Sequence, residues 1–334
     1  MTEGIQLAQK TMKIKLPIIF LAIVMIIAGG WWIGKKRTII PNNKIGQAPV
    51  TVRVAYGPYV SPIFIAFDKG FFEEERLDVE KQLVPGTDTT TIGLTNGDID
   101  TAWIPYSVLF SFEQAAPGNF KIFSNAIETL NKPYSYLIVK SNIGNIKDLL
   151  GKKIVVRSGI NGRLQAEMIL KGLGVDLKKI ELVQVEAPIT PIAFAKEDVS
   201  AAIDVEPSAT AMLQRRGGKI LESAVRVKYI TDPYSTGAQV FSSKFIQAHP
   251  KEAEKFRLAF EKAVDYMKEN DQESRDILQK YLKLDSEVAK AMAPQEIQKY
   301  AEIDRNSITK LMEISVETKQ LDRLLNLSSI YYEP

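Results

Sequence analysis

The sequence predicts an α/β protein of two lobes, each built on a mostly parallel sheet, and three observations carry that prediction. From Thr51 onward, short apolar runs of strand type alternate with helical stretches. Such alternation implies a mostly parallel sheet covered by helices on both faces. The 334 residues suffice for two domains at roughly 100–200 residues each. A weak internal echo links residues 97–107, GDIDTAWIPYS, to residues 197–208, EDVSAAIDVEPS. Each passes from a helix end through an acidic turn and a short apolar strand to a proline opening the next helix. Two similar lobes in succession produce such an echo, and so does chance.

The chain begins differently. Residues 16–34, LPIIFLAIVMIIAGGWWIG, carry no charge, with Lys13 and Lys15 before them and Lys35, Lys36 and Arg37 after. About 20 apolar residues span a bilayer, and Trp31 and Trp32 stand where an interfacial aromatic belt belongs. A transmembrane anchor is expected, which makes residues 1–15 a cytoplasmic tail. The rival reading is a signal segment with its n-region at 1–15, cleaved near Ala28-Gly29-Gly30. Either way the chain is addressed to a membrane, and residues 35–50, polar with Pro, Gly and Asn, read as a linker.

Beyond the linker the strand candidates are VRVAY (52–56), LDVEKQLV (77–84), TAWI (101–104), KIFSNA (121–126), SYLIVK (135–140), KKIVV (152–156), IELVQV (180–185) and SAAIDV (200–205). After about residue 247 the pattern becomes almost wholly helical. Phe256, Phe260, Val264 and Met267 fall on one helix face, whose default meaning is core packing.

Composition removes much chemistry before any motif is read. There is no cysteine, hence no disulfide, thiolate nucleophile or Cys-based metal site, and with His249 as the lone histidine no zinc site of the usual kind. The formal net charge of +3 argues against a nucleic-acid partner. No metal and no cofactor are expected.

The stretch after the first strand is the most legible. Ser61 can cap a helix whose first position is Pro62, and Gly70 is placed to end it in the left-handed conformation. Phe71 and Phe72 are set to fill the gap between that helix and the sheet, and Glu73, Glu74, Glu75 and Arg76 read as a solvated turn before LDVE.

The order of strand, Ser-Pro helix, KGFF, charged turn, LDVE, Gly86-Thr87-Asp88 and LTNGDID resembles the substrate-binding proteins of ABC importers, in the subgroup for nitrate, sulfonate, taurine and thiamine-pyrimidine-like ligands. The resemblance continues through KDLLGKKIVVRSGINGR (147–163), AAIDVEP (201–207) and FIQAHPKEAEKFRLAFEKAVDYMKEN (245–270), and covers about residues 51–290. It implies a two-lobed, periplasmic-binding-protein-like (type II) clam shell with a helical C-terminal region. The first lobe would take residues 51–137 and 235–334, the second 138–234. Arg76 departs from the family, which usually carries glycine there. The implied partners are a small-molecule ligand, an ABC permease with its ATPase, and the membrane through the N-terminal segment. The binding region would be extracytoplasmic, in a monomer.

In open α/β sheets ligands bind beyond the carboxyl ends of strands, next to helix N-termini. Five junctions qualify: 56–62, 85–89, 103–107, 157–162 and 204–208. They supply the candidate ligand-binding residues Tyr59, Ser61, Thr87, Asp88, Tyr106, Ser107, Ser158, Gly159, Asn161 and Glu206, with Tyr234 flanking them. The fourth junction suits an anion, because small residues ahead of a helix leave backbone N–H groups exposed to the positive end of its dipole. Ser158 or Asn161 capping that helix is the bland alternative. Arg157 could counter an anion or simply face solvent. Glu206 would repel an anion and hold an amine or aminopyrimidine, unless it is only the acidic first turn of the next helix.

Solute capture without bond breaking is the expected function. A ligand-sensing lobe for a membrane signalling partner is the alternative. An enzyme is disfavoured: thiamine-pyrimidine synthases resemble the family, but they need a cysteine-rich segment and a reactive histidine, and His249 beside Pro250 reads as a helix cap.

Overall fold

The computed structural model describes residues 50–57, 61–84 and 86–334. The expected tail and membrane segment, the linker as far as residue 49, and Tyr59 lie outside the described residues. Among those described, no helix is long and apolar enough to cross a membrane.

The chain first lays down β1 (Thr51–Tyr56), α1 (Pro62–Lys69), the short α2 (Phe71–Glu74), β2 (Asp78–Leu83), α3 (Thr87–Asn96), β3 (Thr101–Pro105), α4 (Tyr106–Ala115) and β4 (Phe120–Glu128). It then crosses to β5 (Ser135–Lys140), β6 (Lys153–Arg157), α5 (Gly159–Gly172), β7 (Glu181–Val185), α6 (Thr190–Phe194), β8 (Val199–Val205), α7 (Ser208–Arg215) and β9 (Gly218–Ser223). It returns through α8 (Val225–Tyr229) to β10 (Tyr234–Ser242). The chain continues with α9 (Ser243–Ala248), α10 (Pro250–Glu269), α11 (Asp271–Leu282), α12 (Ser286–Ala291), β11 (Glu296–Gln298) and α13 (Arg305–Glu317).

Two sheets result, ordered β11-β4-β10-β3-β1-β2 and β7-β6-β8-β5-β9. Every strand expected from the sequence is present. The expectation of mostly parallel sheets is corrected, because both are mixed. Around β1 and β6 the neighbours run parallel, but β10 is antiparallel to β3 and β4, and β5 to β8 and β9. The cause is the path between sheets. Residues 129–134 and 224–233 leave one sheet at the carboxyl ends of its strands and enter the other at that same edge. The strand that follows each crossing must therefore run backwards. The strand that follows the second crossing, β10, spans Tyr234–Ser242. All nine residues of β10 are buried, as both-face coverage requires. The helical tail is likewise interrupted, by β11 pairing with β4.

Without β11, the two sheets share one topology. β2-β1-β3-β10-β4 matches β7-β6-β8-β5-β9 in order and direction. The two echoing segments contain β3 and β8, which hold equivalent places.

Helix α1 starts as expected: the Ser61 hydroxyl accepts from the Ile63 N–H at 3.3 Å, and Pro62 occupies the first turn. Gly70 closes it with φ 74°. Phe71 and Phe72 are buried, but their rings meet α10 rather than only the sheet. Phe72 stacks on Phe256 at 4.8 Å, and Phe71 meets Tyr266 edge-on at 5.9 Å. Glu73, Glu74 and Arg76 face solvent, and Glu74 pairs with Lys262. Arg76 has φ 57°, the left-handed conformation that suits glycine. Phe256, Phe260 and Val264 are buried along α10, with Met267 partly so. His249 stands at the N-terminal boundary of α10, yet its side chain makes no capping bond, which corrects the role expected for it. Its ring lies beside Phe245 instead, at 5.7 Å.

Candidate functional site

The carboxyl ends of β1, β2, β3 and β4 lie along one edge of the first sheet, and those of β6, β7, β8 and β9 along one edge of the second. Both crossings join these two edges. A small crevice, open to solvent, is lined from both sides, with Leu311, Ile314 and Ser315 of α13 completing its wall. Tyr106, Ser107, Tyr234 and Thr236 come from the first sheet and α4; Gln165 and Met168 come from α5 of the second lobe. Three of the residues expected at the site thus meet there.

Tyr106 is buried at the start of α4, and its hydroxyl donates to Asn125 Oδ1 at 3.0 Å. Asn125 in turn donates to Gln298 Oε1 at 2.7 Å and to Ser235 Oγ at 3.3 Å. Burial pushes the Tyr106 phenol well above its ordinary value, so it stays a neutral donor. Tyr234 is also buried and its phenol raised by burial, while the Arg226 guanidinium lies 5.3 Å over its ring. Thr236 donates to the Ala126 carbonyl and accepts from Gln295.

Ser61 does not join this group. It is buried, caps α1, and borders a separate cavity with Trp103, Ser124 and Gln239. Thr87 and Asp88 open α3, which has no side-chain cap, and Asp88 is exposed.

In the second lobe, Ser158 precedes α5 but does not cap it; its hydroxyl donates to Glu186 Oε1 at 2.6 Å. Of the two capping residues the sequence offered, Ser158 does not act as one. The first turn of α5 begins at Gly159 (φ 85°) and takes no cap from Ser158; the Asn161 side chain lies outside what the structure describes. Gly162 explains how closely this turn sits on β6: a Cβ there would fall 2.4 Å from the Arg157 carbonyl oxygen.

Glu206 is 4% exposed. Its oxygens accept from the Thr210 N–H at 3.1 Å, the Thr210 hydroxyl at 3.0 Å and the Ala293 N–H at 3.4 Å. From just ahead of α7 it takes up the Thr210 N–H of that helix's first turn, and it touches the segment that leads into β11. Burial pushes its carboxyl up, and the bonds from Thr210 and Ala293 offset this only in part. Asp204 is buried deeper still; Oδ1 accepts from Arg157 Nε at 2.5 Å and from the Val205 N–H at 2.8 Å. Glu128, fully buried at the end of β4, gathers the Tyr134 N–H, the Ser135 N–H and the Ser135 hydroxyl on Oε1 at 2.8–2.9 Å, tying down one crossing.

Sequence reasoning missed Gln165, Met168, Thr236 and Asn125. Gln165 and Met168 are three apart on one face of α5, a spacing readable in RLQAEMIL once the helix start is taken as the cleft edge. Thr236 and Asn125 had no comparable signal, since they lie inside strands. Among the described residues, no group of acidic or histidine side chains could hold a metal ion.

Comparison with known proteins agrees with this architecture. A family model described as NMT1/THI5 like matches residues 57–274. A protein of Bacillus subtilis (strain 168), named as a candidate aliphatic sulfonates-binding protein, is 25% identical over 287 residues, 84% of this chain and 85% of its own. The 4-amino-5-hydroxymethyl-2-methylpyrimidine phosphate synthase of Aspergillus parasiticus is 25% identical over 225 residues, 63% of each chain. Among solved structures, the periplasmic aliphatic sulphonate binding protein SsuA of Escherichia coli superposes with a TM-score of 0.69 at 14% identity. That match covers 86% of this chain and 93% of the other, a likeness of fold.

Proposed function

The chain belongs to the NMT1/THI5-like family, and from that membership we propose that it is an extracytoplasmic solute-binding protein. It captures a small organic solute of sulfonate, taurine, nitrate or aminopyrimidine type and delivers it to an ABC import permease. Residues 16–34 tether it to the membrane, and it acts as a monomer. The observation that carries the reading is the pocket lined by Tyr106, Ser107 and Tyr234 from one sheet edge and by Gln165 and Met168 from the other. A ligand held from both sides draws two lobes together about their crossings, the hinge device common to such folds.

No bond is broken in this function. His249 follows α9 at the end of β10 remote from the cleft, about 25–30 Å from Tyr234 at strand spacing. The synthase chemistry known for one relative therefore has no histidine to use at this edge.

Calorimetric titration of the purified full chain with methanesulfonate, taurine, nitrate and an aminopyrimidine tests the proposal, with small-angle scattering on the same samples. Binding of one class with compaction is expected. Heat from none of them, and no change in radius of gyration, would end it.

A further inference from the structure

We propose that Arg157 is the anion-binding side chain of the cleft, held for that task by Asp204. The charged group of the ligand then lies between the terminal nitrogens of Arg157 and the first turn of α5. The inference rests on the solute-binding reading above and names the chemistry of one end of the solute, an oxyanion.

Arg157 is the last residue of β6, which lies between β7 and β8, and its side chain is 33% exposed. Gly162 brings the start of α5, which Ser158 does not cap, down onto its backbone. The guanidinium and the first-turn N–H groups of α5 therefore share the carboxyl end of one strand, where open sheets place ligands. Its orientation is fixed from below. Nε donates to Asp204 Oδ1 at 2.5 Å, and Asp204 is itself fully buried and held by the Val205 N–H. Neither terminal nitrogen has a partner among the described residues, so the planar fork that suits carboxylate, sulfonate or nitrate is unspent.

The first lobe supplies an internal control. Arg53 on β1, the strand equivalent to β6, also pairs with an aspartate, Asp100 before β3, and its side chain is similarly exposed at 36%. There Nε and Nη2 both donate to Asp100, at 3.0 and 2.7 Å, and Nη2 also reaches the Gly97 carbonyl at 2.6 Å. Arg53 spends its fork on the fold, at the edge away from the cleft. Arg157 spends only Nε.

Because Asp204 already balances the charge of Arg157, recognition depends on directed N–H groups more than on net charge. A lysine could balance Asp204 but could not present the fork. That separates a binding role from a merely structural ion pair.

The full chain is titrated with 1-butanesulfonate and with butyl methyl sulfone, its uncharged counterpart, for the parent, Arg157→Lys, Arg157→Gln and Asp204→Asn. Thermal unfolding is followed in parallel. The parent is expected to bind the sulfonate and not the sulfone. Arg157→Lys should weaken sulfonate binding by about tenfold or more, the scale of one lost charge-assisted hydrogen bond, while unfolding near the parental temperature. Arg157→Gln should lose both binding and stability, since it leaves Asp204 buried and unpaired. Asp204→Asn should weaken binding less than Arg157→Gln. Parental affinity in Arg157→Lys overturns the assignment and leaves the solute-binding reading standing. A parent that binds no oxyanion of the panel overturns the assignment, and the solute-binding reading falls with it only if the aminopyrimidine also gives no heat.

Discussion

Trp103 and Gly237 touch across the first sheet so closely that a Cβ built on Gly237 would fall 2.3 Å from the indole Cζ2. It would also lie 2.8 Å from the Ile104 carbonyl oxygen, which is backbone and cannot swing aside. The two residues are diagonal across the β3–β10 ladder, where Gly237 faces Pro105 and Gln239 faces Trp103. Gly237→Ala is expected to destabilise by about 1–3 kcal/mol, the usual range for overpacking. Urea unfolding measures it, and an unchanged midpoint would mean that the indole has room to move.

Phe256 joins α2 to the rest of the first lobe. It is fully buried, stacks on Phe72 at 4.8 Å and meets Phe241 edge-on at 5.8 Å. Phe256→Ala should cost about 3–5 kcal/mol. A loss below about 1 kcal/mol in the same unfolding assay would show that α2 and α10 collapse onto each other without it.

Arg76 holds a left-handed backbone at φ 57° with its side chain in solvent. A left-handed residue other than glycine costs roughly 1–2 kcal/mol, and glycine adds about 0.5–1 kcal/mol of unfolded-state entropy. Arg76→Gly should therefore be neutral to stabilising by about 1 kcal/mol. Destabilisation would point to an unrecognised contact of the arginine.

Glu206 gives a pH dependence. Its carboxyl is raised above the ordinary value of 4.5, chiefly by burial. A group raised on folding stabilises the folded state below its unfolded value, and that contribution is lost as pH rises through the folded value. At neutral pH the ionised carboxylate is thus a net cost, and Glu206→Gln should unfold at the parental temperature or above it. The advantage should shrink as the pH falls toward 4.5. A thermal midpoint below the parent at pH 7, with no such convergence in acid, contradicts it.

The sequence carried the scaffold further than the site. Strand positions were legible because buried strands announce themselves as apolar runs, and α1 because serine, proline and glycine each have one local use there. Strand direction was not, since β5 and β10 run backwards only because of where the crossings enter. The alternatives left open for Arg157 and Glu206 have a related reason. Whether a charged side chain is free or spent depends on Asp204, Thr210 and Ala293, which are 47, 4 and 87 residues away in the chain. Spacing cannot report that. The echo of 97–107 in 197–208 was readable, but its meaning required the shared strand order.

That shared order has a mechanical consequence. Both crossings attach at the same edge, so each sheet is a lever pivoted there, its free end roughly 17–23 Å away along the strands of the second sheet and up to about 30 Å away along β4 and β10 of the first. A rotation of about 10° at the crossings would sweep the far ends through about 3–5 Å. Under the proposed solute binding, a small movement at that edge is enlarged at the outer ends, where a membrane partner would meet it.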